Sequence, residues 1–168
     1  MLIGLVGKAE SGKGEVAKYL VKRGWVNVTL ARPLKIGLLS LGLFGYEELF
    51  KEKTVKSRLA MQEFGDFIRK NDPDYFVNLA RLKIRSEHPD RGDIVVDDVR
   101  RFNEAEMIKE EGGCLVKILR PFHHAANTDG QHPTEEEQDR IECDYSIANS
   151  RNVGYLQSAI DRFLEIAE

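Results

Sequence analysis

The chain has 168 residues, of which 42% are apolar and 32% charged, and its formal net charge at pH 7 is −3. This length favours a single domain with room for a complete α/β core. The slightly negative charge provides no basic field that would attract nucleic acid or an anionic membrane. The first apolar run, residues 1–6, is far too short to cross a bilayer, and we expect a cytoplasmic protein.

Short apolar runs, which predict buried strands, alternate with segments of helical periodicity. In chain order the predicted elements are a strand at 2–6, a helix at 15–23, a strand at 25–30, helices at 33–43, 57–70 and 74–86, a strand at 94–96, a helix at 103–111, strands at 115–119 and 145–148, and a helix at 153–167. Such alternation predicts a parallel, doubly wound sheet. Residues 120–135 have no hydrophobic period, and a long insert of this kind is usually functional or mobile.

Residues Gly7 to Gly14, GKAESGKG, nearly complete the phosphate-binding pattern G-x-x-x-x-G-K-[ST]. They follow a predicted buried strand and open a predicted helix, where main-chain N–H groups and the helix N-terminus face a bound anion. Lys13 would add a full positive charge for the β- and γ-phosphates. The alternative is a glycine-rich turn with an incidental lysine.

Gly14 stands where the pattern has a hydroxyl group for Mg²⁺. Because Mg²⁺ keeps several waters and needs few protein ligands beside the phosphates, this loss need not abolish metal binding. Glu15 could reach the metal through water. Alternatively, its charge simply favours the positive end of the helix dipole.

Asp97 and Asp98 directly follow the apolar residues 94–96. The carboxyl ends of buried parallel strands form the ligand-binding edge of a sheet, so one of this pair is well placed to orient hydrated Mg²⁺. The alternative is a polar strand end that caps the following helix. Arg100 and Arg101 should lie on the same rim, where guanidinium groups suit phosphate.

The predicted helix 57–70 has one polar face, because at about 100° per residue its polar members fall within roughly 60° of one another. These are Arg58, Gln62, Gly65 and Arg69. The opposing apolar face consists of Ala60, Phe64, Phe67 and Ile68. Two arginines and an amide, with a glycine that leaves room for a ligand, suit the floor of a nucleoside monophosphate site. A merely solvated face is the alternative. Arg120, which begins the insert directly after a strand, suits a lid that closes on phosphates.

These motifs together resemble the phage-type deoxynucleoside monophosphate kinases, a branch of the P-loop nucleoside monophosphate kinases. The segments that carry the resemblance, in the family's order, are GLVGKAESGKGEVAKYL, ARPLK, RLAMQEFGDFIR, PDYFVNLA, VVDDVRRFNEAEMIKEEGG, VKILRP and HPTEEE. Two positions depart from it: relatives often have Asp-Thr after the loop lysine, where this chain has Gly14-Glu15, and a carboxylate near Arg32.

The resemblance implies an α/β fold, a three-layer α/β/α P-loop kinase with a five-stranded parallel sheet. It implies one domain over 1–168, with acceptor-binding helices at about 33–90 and a lid at about 120–135. The implied reaction transfers the γ-phosphoryl group of ATP to a deoxynucleoside 5′-monophosphate, with Mg²⁺ as cofactor. Members of the family can be homodimers, and no nucleic acid polymer or membrane is implied as a partner. The source would be a phage or a bacterium, and a phage protein would act in the host cytoplasm.

The resemblance also implies roles for the candidate residues. The catalytic residues would be Lys13, Asp98, Arg100 and Arg120. ATP would be bound by Gly7, Lys8, Ala9, Glu10, Ser11, Gly12, Lys13, Gly14 and Glu15. The acceptor would be bound by Arg58, Gln62, Gly65, Arg69 and Asp98. Mg²⁺ would be held by Asp98 and Asp97 through water.

Two other functions are compatible with these motifs. One is a kinase of similar plan that acts on another phosphate acceptor, such as dephospho-coenzyme A or phosphomevalonate. The other is a non-catalytic ATP-binding module whose altered loop no longer supports turnover.

Overall fold

A computed structural model describes residues 1–87, 92–121 and 137–167. Its strands are β1 (Leu2–Val6), β2 (Val26–Val28), β3 (Ile94–Val99), β4 (Cys114–Leu119) and β5 (Tyr145–Ala148). Its helices are α1 (Lys13–Lys22), α2 (Arg32–Ser40), α3 (Tyr46–Phe50), α4 (Val55–Asn71), α5 (Tyr75–Glu87), α6 (Phe102–Glu110) and α7 (Val153–Ala167).

The strands form one sheet in the order β2-β3-β1-β4-β5, and each neighbouring pair is parallel. The predicted five-stranded parallel sheet is therefore confirmed. The central strand β1 is buried along its whole length, which explains its uninterrupted apolar sequence. Because the strands are parallel, the loop after β1 and the carboxyl end of β3 lie side by side at one edge of the sheet.

Two hydrophobic clusters cover the two faces of the sheet and complete the three layers. One cluster packs α5 and α6 against the sheet through Val77, Ala80, Ile84, Ala105, Met107 and Ile108. The other packs α1 and α7 through Val16, Ala17, Leu20, Leu156, Ile160, Phe163 and Leu164. Each fully buried aliphatic or aromatic side chain stabilises the fold by about 1.5–3 kcal/mol relative to exposure, so these faces hold the sheet edge in place.

Besides shifted boundaries, such as those of β2 and α2, three differences from the predictions concern the region of the site. Strand β3 continues to Val99, so both aspartates lie within it rather than beyond it. A short helix, α3, occupies part of the segment 46–56 that shows no clear sequence pattern. Phe67, predicted on the apolar face of α4, is 65% exposed. Phe64, on the same predicted face, packs closely against Gly37 of α2, where a Cβ atom would lie 3.2 Å from the Phe64 ring.

Part of the predicted lid, residues 122–135, lies outside the described residues, as does 88–91 at the end of the predicted acceptor-binding region. Within the described residues, every helix is too short or too polar to span a membrane.

Candidate active site

The loop between β1 and α1 has a backbone that only glycine accommodates at two points. Gly7 has φ +152°, and a Cβ atom there would lie 2.5 Å from the Ile118 carbonyl oxygen. Gly12 has φ +111°, and a Cβ atom there would lie 2.6 Å from Asn149 Nδ2. Both distances are shorter than van der Waals contact, so these two glycines of the sequence pattern are required by close packing as well as by backbone conformation.

Lys13 begins α1 and turns its ammonium group back over this loop. Its Nζ donates hydrogen bonds to the carbonyl oxygens of Gly7 and Lys8, the second at 2.8 Å. An ammonium group has three N–H donors, so one remains for a phosphate oxygen. Burial lowers the pKa of Lys13 to about 8, and the charge of Arg100 adds to this effect. Asp98 acts in the opposite direction.

Side chains from the far side of the sheet support the loop. Asn149, which directly follows β5, donates to the Ser11 carbonyl oxygen at 2.9 Å. Arg120, which directly follows β4, donates to the Glu10 carbonyl oxygen at 3.2 Å. The Ser11 hydroxyl is buried and makes no hydrogen bond to any described residue. The structure thus brings Arg120 to the phosphate-loop segment 7–15, which also contains the buried Ser11 hydroxyl.

Asp98 lies on β3 and binds the chain just before α2. Its carboxylate accepts hydrogen bonds from the main-chain N–H groups of Leu30 at 2.7 Å and Ala31 at 2.9 Å. Burial raises the pKa of Asp98, and the neighbouring charge of Asp97 raises it further. Asp98 therefore organises the start of α2, a helix that precedes β3 in the chain. The alternative from the sequence was that this strand end caps the following helix, α6. The start of α6 is instead capped by Glu104, which binds main-chain N–H groups there.

Asp97 accepts hydrogen bonds from Thr29 Oγ1 at 2.9 Å and Asn27 Nδ2 at 3.2 Å. A carboxylate offers about four lone-pair sites, so Asp97 and Asp98 both retain acceptor capacity for metal-bound water. Among the described residues, no cluster of three or more His, Cys, Asp or Glu side chains could hold a metal directly. The carboxylates therefore fit hydrated Mg²⁺ better than a fully protein-ligated ion.

The two residues after Lys13, Gly14 and Glu15, differ in their contacts: Gly14 has open space around it, and Glu15 forms an ion pair. A Cβ atom on Gly14 would meet no atom within 4 Å, so the missing hydroxyl is not excluded by sterics. The carboxylate of Glu15 pairs with Lys18 at 2.7 Å on the outer face of α1. This pairing favours the helix-stabilising interpretation of Glu15.

Helix α4 places Arg69 at the other side of the site. Its guanidinium group lies 3.8 Å from the Asp66 carboxylate and 4.0 Å from that of Glu104, and it stacks 4.7 Å from the centre of the Phe76 ring. A Cβ atom on Gly65 would lie 2.9 Å from Arg69 Nη1. Gly65 therefore makes room for the guanidinium group of its own helix, and its direct contact with a ligand stays a prediction.

Glu104 is a site residue that the motif interpretation missed. It is only 3% exposed, and its Oε2 accepts hydrogen bonds from the N–H groups of Arg100 at 2.7 Å and Arg101 at 3.1 Å. Burial raises the pKa of Glu104 to about 7. Glu104 stands three residues after Arg101, the residue that precedes α6, which is the spacing of the glutamate in a capping box. The helix predicted from the sequence begins one residue too late, at 103, so this spacing was not recognised.

A second missed group is the cationic side chain of Lys53, in the segment before α4. Burial lowers its pKa, and the charges of Lys35, Arg100 and Arg58 lower it further. Arg58, predicted from the helical wheel, thus shares an electropositive region with Lys35 and Lys53. Gln62, the remaining predicted residue of that face, is exposed on α4. The resulting surface is positively charged and suits phosphate. It consists of Arg100 after β3, Lys35 on α2, Arg58 on α4 and Lys53 before α4.

The comparison that decides the family is with a protein of Acanthamoeba polyphaga mimivirus that carries the provisional name deoxynucleotide monophosphate kinase. It is 30% identical to this chain over 184 aligned positions, which cover 95% of this chain and 94% of the relative. The chain belongs to the deoxynucleotide monophosphate kinase family. No protein-family model matches this member of the family.

Two solved structures show that this kinase family member has a widespread fold. TT1252 from Thermus thermophilus superposes with a TM-score of 0.53 at 18% identity, over 100% of this chain and 98% of that chain. Shikimate kinase from Acinetobacter baumannii, in complex with shikimate, superposes with a TM-score of 0.51 at 13% identity, over 98% and 93% of the two chains. At such low identity both likenesses concern the fold alone.

Proposed function

We propose that the protein transfers the γ-phosphoryl group of ATP to a deoxynucleoside 5′-monophosphate, giving the diphosphate and ADP. The observation that carries this proposal is the meeting of two half-sites at one sheet edge. Lys13 lies on the loop 7–15, here called the donor loop, and its pKa is lowered by burial and by the charge of Arg100 and raised by that of Asp98; both residues lie at the end of the neighbouring strand β3. Besides burial, the charge of Arg100 also lowers the pKa of Lys53 and of Arg69, on the opposite side.

The donor half binds ATP through the loop residues 7–15. Main-chain N–H groups and the N-terminus of α1 bind the phosphate oxygens, and the free N–H of Lys13 reaches the β- and γ-phosphates. Arg120, which already contacts the Glu10 carbonyl, is close enough to this loop to add a second cation. A lid at about 120–135 would then exclude water from the reacting phosphates.

The acceptor half binds the monophosphate on α4 and β3. Arg69 and Arg58 supply charge, Gln62 supplies an amide, Gly65 gives Arg69 its room, and Asp98 sits at the boundary with the donor half. Guanidinium groups bind phosphate through paired N–H donors, which fixes its orientation as well as its charge.

Catalysis in this arrangement consists mainly of positioning and neutralisation of charge, because phosphoryl transfer needs little covalent help from the protein. Mg²⁺ would neutralise charge on the β- and γ-phosphates, and Asp97 and Asp98 would hold it through water. Lys13 and Arg100 stabilise the charge that develops on the transferred group. The protein would act in the cytoplasm, where ATP and deoxynucleotides occur. It would form a homodimer, as members of the family can.

The experiment is to incubate the protein with ATP, Mg²⁺ and each deoxynucleoside monophosphate in turn, and to measure ADP release. Parallel reactions contain no acceptor, dephospho-coenzyme A or phosphomevalonate. ADP release that requires a deoxynucleoside monophosphate would support the proposal and rank the bases. Turnover on another acceptor alone would replace the substrate, and tight ATP binding without any turnover would indicate a non-catalytic module.

A further inference from the structure

Three consecutive residues, Glu137 to Asp139, contact three different walls of the site. Asp139 Oδ2 lies 3.0 Å from Lys8 Nζ on the donor loop. Glu137 Oε1 accepts a hydrogen bond of 2.8 Å from the N–H of Phe102, at the start of α6. Gln138 lies between them and is only 4% exposed. A buried polar side chain at the meeting point of three segments needs partners, and those of Gln138 reveal its role.

The amide group of Gln138 bridges the donor loop and β3. Its Nε2 donates to the Gly7 carbonyl oxygen at 2.9 Å and to the Val99 carbonyl oxygen at 3.1 Å. The register of β1 against β3 ends with Val6 opposite Val99. Gln138 therefore connects the two strands at Gly7, one residue beyond the last main-chain pair. These two hydrogen bonds use both N–H groups of its amide.

The Gly7 carbonyl oxygen also accepts a hydrogen bond from Lys13 Nζ. One carbonyl thus joins the lysine that faces the ATP phosphates to the amide of Gln138. The other carbonyl that Gln138 binds belongs to Val99, which lies between Asp98 and Arg100 in the chain. The geometry links the donor lysine to the residues of β3 through a single buried side chain.

We propose that Gln138 is a positioning residue for phosphoryl transfer: its two hydrogen bonds fix Lys13 relative to Asp98 and Arg100. This inference rests on the proposed function for its effect on turnover, but its effect on ATP binding does not require an acceptor. Removing the amide leaves two buried carbonyl oxygens without this donor, so the loop and the strand end can shift relative to each other. A displacement of about 1 Å in a catalytic arrangement can lower a rate about a hundredfold.

The test compares Gln138→Met, which keeps the side-chain length but removes both donors, with Gln157→Met on α7 as a matched control. For each protein we would measure kcat, KM for ATP and for the deoxynucleoside monophosphate, ATP affinity by calorimetry, and stability by urea unfolding. We expect kcat of Gln138→Met to fall roughly ten- to hundredfold and ATP affinity to fall, with KM for the acceptor within about threefold of wild type.

Two results would overturn the inference: kcat and ATP affinity of the folded variant both within about twofold of wild type, or equal losses in Gln157→Met. The ATP measurement separates this inference from the proposed function. If wild type turns over no deoxynucleoside monophosphate, the proposed function fails, while a selective loss of ATP affinity in Gln138→Met still supports the positioning role.

A second variant keeps the test decisive if Gln138→Met does not fold. Gln138→Glu has the same length, and its carboxyl group donates one hydrogen bond only when it is protonated. Burial beside two carbonyl oxygens should raise its pKa, because the charged form is disfavoured there. We expect its kcat relative to wild type to be at least about threefold higher at pH 6 than at pH 8. A ratio that is the same at both pH values would contradict the inference.

Discussion

The proposed donor and acceptor halves of the site differ in the chemical groups that form them. The donor half is mainly main chain: a loop in which Gly7 and Gly12 cannot carry a Cβ atom, with Lys13 held by two of its carbonyl groups. The acceptor half is side chain: Arg69 and Arg101 both lie near Asp66, and Glu104 lies near Arg69. The first depends on backbone conformation, and the second on a balance of charges around one buried carboxylate, that of Glu104.

This difference has a consequence for how each half fails. The internal conformation of the loop depends on Gly7 and Gly12, so replacing Lys13 should leave that conformation intact and affect mainly the interaction with ATP. A cluster of charges is coupled, because each buried ion sets the pKa and the position of the others. A change on the acceptor side should therefore alter pH dependence and stability as well as substrate binding.

The largest effect should come from Lys13→Ala. The loop conformation depends on Gly7 and Gly12 and should survive, but the variant loses the charge that we propose to face the β- and γ-phosphates. We expect kcat/KM to fall about a thousandfold, on the order of 4 kcal/mol, with the fold intact by circular dichroism. Lys22→Ala, an exposed lysine at the end of the same helix, is the control and should stay near wild type. Near-normal turnover of Lys13→Ala would refute the donor assignment.

The substitution Glu104→Gln tests how the buried carboxyl group of Glu104 contributes to the pH dependence of stability. The pKa of Glu104 is raised to about 7 from 4.5, so between these pH values the folded state binds more protons than the unfolded state. Stability contributed by this group therefore falls as pH rises from about 4.5 to about 7 and then levels off. The variant lacks this dependence.

The measurement for Glu104→Gln is the free energy of unfolding in urea at pH 5 and pH 8. Wild type minus variant should decrease by up to about 3 kcal/mol between these values. Glu106→Gln, an exposed glutamate on the same helix, is the matched control and should show almost no such change. A difference independent of pH for Glu104→Gln would show that its carboxylate is already charged at pH 5.

Arg69→Ala separates the two halves kinetically. The guanidinium group should bind the acceptor phosphate, so we expect KM for the deoxynucleoside monophosphate to rise about thirtyfold, on the order of 2 kcal/mol. KM for ATP should change much less. Lys70→Ala, an exposed neighbour on α4, is the control. An equal rise in both KM values would remove Arg69 from the acceptor site.

The smallest effect should come from restoring the hydroxyl group of the phosphate-loop pattern with Gly14→Ser. Since a Cβ atom meets nothing within 4 Å at this position, the change should fit without strain. We expect the Mg²⁺ concentration for half-maximal activity to fall about fivefold, on the order of 1 kcal/mol. Gly14→Ala adds the Cβ and the higher helix propensity without the hydroxyl, so an equal effect in both variants would exclude a metal contact.

The main features of the donor half could be predicted from the sequence because they are local. Gly7, Gly12 and Lys13 lie within seven consecutive residues, and their spacing alone specifies a turn, a close backbone approach and a helix start. The central strands β1, β3 and β4 were likewise visible as short apolar runs, because burial on both faces leaves little polar alternation. The edge strands β2 and β5 are mostly exposed or half-buried and gave a weaker signal.

The acceptor half could be predicted only in part, because its members come from separate segments. The helical wheel identified Arg58 and Arg69, but it could not show that Gly65 makes room for Arg69, nor that Phe67 is exposed. Lys53 and Glu104 lacked a motif of their own, apart from the capping spacing before α6. The importance of Glu104 depends on its burial, and that of Lys53 on the charges of Lys35, Arg58 and Arg100 around it.

The sequence by itself determined the phosphate loop, the longer helices, and the parallel sheet that brings strand ends together. These follow from periodicity and from the conformational limits of glycine, which act over a few residues. Only the tertiary structure decided how Gln138 bridges Gly7 and Val99, and how Glu104 sets the charge around Arg69. Hydrogen bonds and pKa shifts of this kind depend on distances between atoms, and those distances exist only once the chain is folded.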